Sequence, residues 1–134
     1  MKTKTCSRWM IVDDQEDTNW LIQHMLSIIV PEVEIVAFNS PKAALRAFAQ
    51  DPNGFDLVIT DFNMPGLNGN QLREQLRLIN PAVKVVLSTA SFDWNFTDAQ
   101  NAGFDSFLQK PFSICDLRDT TLNLTCEPLC LQAA

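Results

Sequence analysis

"LVITDFNMPGLNG", residues 57–69, is the stretch on which the fold turns. Leu57, Val58, Ile59 and Thr60 suit a strand buried on both faces. An aspartate, Asp61, follows them at once, and within two residues the chain breaks into Asn63, Met64, Pro65 and Gly66. An acid at a strand end is by itself an ordinary turn residue. It gains chemical meaning only if other charged residues reach the same place.

Outward from this stretch the chain repeats one pattern. "RWMIV" (8–12) is a short apolar run, and after two acids "TNWLIQHMLSII" carries Leu21, Met25 and Ile28 at helical spacing. Pro31 stops that helix, and "EVEIVAF" (32–38) alternates as strands do. "NSPKAALRAFAQ" then offers Ser40 as N-cap with Pro41 at the first helical position. "DPNGF" is dense in turn formers and leads into the third strand, within 55–60. "GNQLREQLRLIN" has Leu72, Leu76 and Ile79 on one face and ends before Pro81. "VKVVLST" (83–89) reads as strand, "FTDAQNAG" as a weak helix stopped by Gly103, and "SFLQ" (106–109) as a short strand. Ser113 and Asp116 have capping-box spacing ahead of Leu117, Thr121 and Leu124, which predicts a fifth helix. Five strand-helix units with short, right-handed connections predict an α/β fold, a five-stranded parallel sheet with helices on both faces.

In such a sheet every strand ends at one edge, where ligands bind. Asp13 and Asp14 follow the first strand, Asp61 ends the third, Thr89 ends the fourth and Lys110 follows the fifth. Three crowded carboxylates repel unless cations compensate. Lys110 brings one positive charge, and Mg²⁺ suits a few carboxylates, a backbone carbonyl and retained water. An exposed carboxylate beside a metal is a nucleophile for phosphoryl transfer, with the metal and Lys110 stabilising charge on the transferred group. The Thr89 hydroxyl is placed to bond a phosphoryl oxygen.

At these residues the sequence resembles the receiver domain of two-component response regulators, through "IVDD" (11–14), "DFNMPGLNG" (61–69), "STA" (88–90) and "FLQKPF" (107–112). The resemblance extends over about residues 8–124. It implies a flavodoxin-like, doubly wound (βα)5 fold with strand order 2-1-3-4-5. It implies Asp61 as phosphoacceptor, Asp13, Asp14, Asp61 and the Asn63 carbonyl as the Mg²⁺ site, and Thr89 and Lys110 as contacts of the phosphoryl group. Phe107 falls at the family's aromatic switch, although a Phe, lacking a hydroxyl, can also stay buried and switch nothing. The family's Lys-Pro bond, here Lys110 to Pro111, is often cis. Asn63 and Ser91 stand where the family tunes phosphoryl lifetime.

By this resemblance the function is a receiver that takes a phosphoryl group from phosphohistidine onto Asp61 with Mg²⁺ and switches partner binding. It is a signalling domain that catalyses its own modification rather than a conventional enzyme. The expected partners are a sensor histidine kinase or histidine phosphotransfer protein and a downstream protein; a homodimer is left open. Trp94, Phe96, Phe107 and Ile114 mark the expected contact face, Ile114 being equally suited to the core. Three rivals stand beside this. One is a receiver-like binding module that works without phosphorylation, and another is an aspartyl-phosphate hydrolase, whose motif usually has a second acid where Asn63 stands. The third is a receiver excised from a hybrid kinase or longer regulator.

The 134 residues, 46% hydrophobic and 19% charged, fit one globular domain, here 1–124, with 125–134 as a C-terminal tail. Net charge is −6 and the pI about 4.5, against direct nucleic-acid binding, which needs Lys and Arg to displace counterions. No run approaches a membrane span and "MKTKTCSRWMIVDD" lacks a signal-peptide core, so a cytoplasmic location is expected. Cys6, Cys115, Cys126 and Cys130 read as reduced thiols. "CEPLC" pairs two of them, short of the four ligands zinc normally takes. His24, alone between Gln23 and Met25, reads as a surface or boundary residue.

Overall fold

The computed structural model describes residues 7 to 125. Residues 1–6 and 126–134, which include Cys6, Cys126 and Cys130 and all but the first residue of the expected 125–134 tail, lie outside the described residues. Ten elements alternate: β1 (Arg8–Val12), α1 (Glu16–Ile29), β2 (Glu34–Phe38), α2 (Pro41–Gln50), β3 (Leu57–Thr60), α3 (Gly69–Ile79), β4 (Lys84–Thr89), α4 (Phe96–Ala102), β5 (Ser106–Gln109) and α5 (Ile114–Thr125). The strands form one parallel sheet, as the strand-helix pattern predicts, in the order β2-β1-β3-β4-β5 that the resemblance implies.

Burial explains the strand composition. All four residues of β3 are buried, and β1 and β4 are buried apart from their first residues, Arg8 and Lys84. Unbroken apolar runs are what a strand covered on both faces requires. β2, at the sheet edge, is only partly covered. Side chains alternate between two apolar layers. Met10, Val12, Val58, Val85 and Leu87 pack with Phe48 of α2, Leu72 and Leu76 of α3 and Ala99 of α4. Trp9, Ile11, Leu57, Ile59 and Val86 face Ile22 and Leu26 of α1 and Leu117 of α5.

Helix starts follow their capping chemistry. Ser40 Oγ accepts the Ala43 N–H at 3.3 Å with Pro41 behind it, and Ser113 and Asp116 exchange reciprocal bonds of 3.0 and 3.1 Å. Asn68 and Gln71 form a capping box at α3, with bonds of 2.8 and 2.9 Å, which the sequence reading missed. Asn95 caps the seven-residue α4 and Gly103 ends it in the left-handed conformation, φ 110°.

The structure turns one helix face differently from the sequence expectation. The predicted stripe on α1 was Leu21, Met25 and Ile28, but the helix buries Asn19, Ile22 and Leu26 and leaves Leu21 and Ile28 exposed. Both stripes are apolar, so periodicity alone does not choose between them. The Asn19 side chain does: its Nδ2 donates to the carbonyls of Asp13, at 2.8 Å, and Phe38, at 3.1 Å, fixing the rotation of α1 against β1 and β2.

Candidate functional site

In the strand order β2-β1-β3, the chain leaves β1 for one side and then returns to the other. The crevice outside the carboxyl ends of β1 and β3 is therefore the switch point of the sheet. Val12 pairs with Thr60 in the last register of these strands. Asp13 and Asp61 come next, the Asp61 N–H donating to the Val12 carbonyl at 2.9 Å and the Asp13 N–H to that of Phe38 at 3.1 Å.

The predicted acids converge. Carboxylate oxygens of Asp13, Asp14 and Asp61 lie within 4.8 Å of one another, although 48 residues separate Asp13 from Asp61. Lys110 arrives from beyond β5 and places its Nζ 2.5 Å from Asp13 Oδ2 and 3.7 Å from Asp61 Oδ1. The ammonium thus sits closer to Asp13, which is buried, than to Asp61. Asp13 Oδ1 also accepts the Gln15 N–H at 2.9 Å, and Asp61 Oδ1 that of Phe62 at 2.8 Å. These bonds hold both carboxylates in fixed orientations.

Burial is the main reason that the Asp61 carboxyl titrates above its ordinary value; the Lys110 charge opposes this, Asp13 adds to it, the Phe62 N–H opposes it and Asp14 adds to it. One ammonium among three carboxylates leaves two charges uncompensated, and an all-oxygen cluster of this size is the donor set of a hard divalent cation.

The chain around Asp61 turns as the rim demands. Gly66 adopts φ 95°, open to glycine but strained for other residues. At Gly69 a Cβ would lie 2.5 Å from the Asp61 carbonyl oxygen, so only glycine lets α3 start this close to the acid. Asn63 is exposed in the same loop, two residues beyond Asp61.

Thr89 is buried at the end of β4, its Oγ1 accepting the Ser91 N–H at 3.2 Å. The Lys110–Pro111 peptide is cis. Phe107 is half-buried and packs on the layer that holds α2, α3 and α4. Trp94, expected on the contact face, turns inward instead. Its ring lies 4.9 Å from that of Phe62 and 6.1 Å from that of Phe104, because a large aromatic beside those rings is better covered than exposed. Phe96 is 48% exposed, Ile114 is half-buried, and Phe92, which sequence reasoning passed over, is 90% exposed. His24 stacks on the exposed Trp20 on α1, with ring centroids 5.3 Å apart. No helix among the described residues is long and apolar enough to cross a membrane.

Comparison with known proteins adds to this geometry. The chain is 30% identical over 118 residues to the cyclic di-GMP phosphodiesterase response regulator RpfG of Xanthomonas campestris, which covers 86% of this chain and 31% of that protein. Across the curated relatives it matches, the chain spans from 10% to 31% of their length. Among solved structures, a response regulator receiver domain protein from Clostridium thermocellum superposes with a TM-score of 0.82 at 28% identity, covering 93% of this chain and 98% of that one. The response regulator TrrA of Thermotoga maritima, solved with Mg²⁺ and BeF, gives a TM-score of 0.77 at 26% identity, over 88% of this chain and 98% of that one. The family model described as response regulator receiver domain matches residues 9–121. With fold, rim and family model in agreement over nearly the whole described chain, the protein belongs to the response regulator receiver domain family of two-component signalling.

Proposed function

We propose that this receiver accepts a phosphoryl group from a phosphohistidine donor on Asp61, with Mg²⁺ held by Asp13, Asp14, Asp61 and the Asn63 carbonyl. The observation that carries the proposal is the gathering of three carboxylates and Lys110 at the switch point of the sheet. That TrrA was solved with Mg²⁺ and BeF supports the same metal here.

In the proposed reaction an Asp61 carboxylate oxygen attacks phosphorus, the new O–P bond forms and the P–N bond to the donor imidazole breaks, its electron pair leaving with the nitrogen. The product is an acyl phosphate. The Phe62 N–H orients the attacking carboxylate. Lys110, already facing Asp13 and Asp61, moves its charge onto the phosphoryl oxygens as they gather at the rim. A divalent ion bound to the acids would supply further positive charge against those oxygens. The Thr89 hydroxyl donates its proton to a phosphoryl oxygen, and this bond biases β4, α4 and the half-buried Phe107 toward a state that a downstream protein prefers. The domain thus promotes its own modification and acts in signalling rather than as a metabolic enzyme. The chain is also compatible with being one segment of a hybrid kinase or longer regulator, given the lengths of its relatives.

Incubation with acetyl phosphate and Mg²⁺ followed by intact mass tests this. The expected result is uptake of one phosphoryl group by the wild type, none after chelation of the metal, and none in Asp61→Asn. Equal uptake by Asp61→Asn would assign the acceptor elsewhere. No uptake by any form would favour a module that binds without phosphorylation.

A further inference from the structure

Beyond the residues already assigned roles, one side chain reaches the rim from an unexpected direction. Gln109 ends β5, next to Lys110, and its Nε2 donates to the Thr89 carbonyl at 3.1 Å and to the Ser91 carbonyl at 3.4 Å. The Lys110 N–H also donates to the Thr89 carbonyl, at 2.8 Å, as the ladder between β4 and β5 runs out. From the other side the Thr89 hydroxyl accepts the Ser91 N–H at 3.2 Å. Ser91 is thus held at both its N–H and its carbonyl, and Thr89 at both its carbonyl and its hydroxyl oxygen.

We propose that Gln109 is a positioning residue for phosphoryl transfer: its amide ties the carbonyls of Thr89 and Ser91 together and so fixes the Thr89 hydroxyl toward the phosphoryl site. This rests on the reading of Asp61 as phosphoacceptor. The chemistry follows from donor counting. A hydroxyl oxygen that accepts the Ser91 N–H keeps its own proton to donate elsewhere, and the direction of that proton is set by how firmly residues 89 to 91 are held. Without the Gln109 amide Thr89 keeps the Lys110 N–H on its carbonyl and the Ser91 N–H on its hydroxyl, but the Ser91 carbonyl loses its tie to β5. The hydroxyl then has to be ordered during the reaction, which costs entropy at the transition state.

The position suits such a role. The Gln109 side chain is partly covered rather than part of either apolar layer, so replacing it disturbs little packing. It touches neither Asp61 nor the acids among the described hydrogen bonds, so its effect on transfer passes either through the β4–α4 turn or through the adjoining Lys110, and only the first of these depends on the Thr89 hydroxyl.

A double-mutant cycle tests the proposal. Gln109→Met keeps the length of the side chain and removes its donors; Thr89→Val keeps the shape of Thr89 and removes its hydroxyl. Phosphoryl uptake from acetyl phosphate with Mg²⁺ is timed by intact mass for the wild type, each single variant and the pair, with Asp61→Asn as control. Gln109→Met is expected to slow uptake about fivefold, the worth of roughly one hydrogen bond. The same change made in Thr89→Val is expected to slow it no further, because the group being positioned is already gone. Uptake by Gln109→Met at the wild-type rate, or an equal slowing in both backgrounds, would overturn the role; the latter would mark a general structural effect. In either case a wild type that is modified and an Asp61→Asn that is not leave the phosphoacceptor assignment standing, whereas uptake by Asp61→Asn removes that assignment and this inference with it.

Discussion

Burial, with Asp13 and Asp14 nearby, outweighs Lys110 and the Phe62 N–H at the Asp61 carboxyl and raises its pKa above the ordinary 3.8. A carboxyl whose pKa is higher folded than unfolded binds its proton more tightly in the folded state. Its favourable contribution to folding is complete below the unfolded pKa and is lost as pH rises through the raised folded value. At neutral pH, in chelator, the Asp61 charge therefore weighs against the fold. Asp61→Asn is expected to unfold at a higher denaturant concentration than the wild type there, with the gap narrowing as the pH falls through the raised folded value and closed below 3.8. Equilibrium unfolding across that range checks it; a gap that widens in acid would show the sign to be wrong. Saturating Mg²⁺ is expected to reverse the order, since an ion bound at 100 times its Kd stabilises the folded state by about 2.7 kcal/mol and Asp61→Asn binds it less tightly.

Among the elements, α1 and α3 show where side chains rather than periodicity set the structure. Asn19 is buried and bonds the ends of both β1 and β2. Asn19→Ala leaves two carbonyls without that donor and is expected to cost about 1–3 kcal/mol in chemical denaturation. A loss under about 0.5 kcal/mol would mean that α1 is placed by its apolar face alone. Gly69→Ala is expected to fail differently. Its Cβ would have to displace the Asp61 carbonyl, 2.5 Å away, and so should lower both stability, by about 1–3 kcal/mol, and phosphoryl uptake. Stability lost with uptake intact would separate the start of α3 from the geometry of the acid.

These elements also show what sequence can and cannot disclose. The central strands were legible because a strand covered on both faces must be apolar throughout, as "RWMIV" and "LVIT" are. Ser40 and the Ser113–Asp116 pair were legible because a cap and its partner lie within one turn. The convergence of Asp13, Asp14, Asp61 and Lys110 was legible because parallel strands share one edge. The α1 face was not, since Leu21 and Ile22 are both apolar and the bonds that Asn19 makes to Asp13 and the distant Phe38 are tertiary. Nor was the division of Lys110 between Asp13 and Asp61, or the reach of Gln109 to Thr89. Those depend on distances across strands 20 or more residues apart. A polar residue inside an apolar helical stripe was the available signal for Asn19.

At the scale of the whole molecule, two apolar layers hold the sheet so that its carboxyl edge is a rigid rim. Leu76 is fully buried in the layer beneath β3 and β4, and Leu76→Ala is expected to cost about 2–5 kcal/mol in equilibrium unfolding. A loss below about 1 kcal/mol would mean that the layer collapses into the space left. The rigidity matters because the acids come from different strands and the lysine from beyond a third. Only a fixed sheet brings them together before a cation or phosphoryl group arrives. The most direct measurement is a crystal structure of the protein with Mn²⁺ and beryllofluoride, the ion located by its anomalous scattering. Octahedral oxygen sites accept Mn²⁺ in place of Mg²⁺. The expected map has one metal peak among the carboxylates of Asp13, Asp14 and Asp61, with beryllofluoride on Asp61 and Lys110 beside it. A metal bound elsewhere, or beryllofluoride on another residue, would contradict the account.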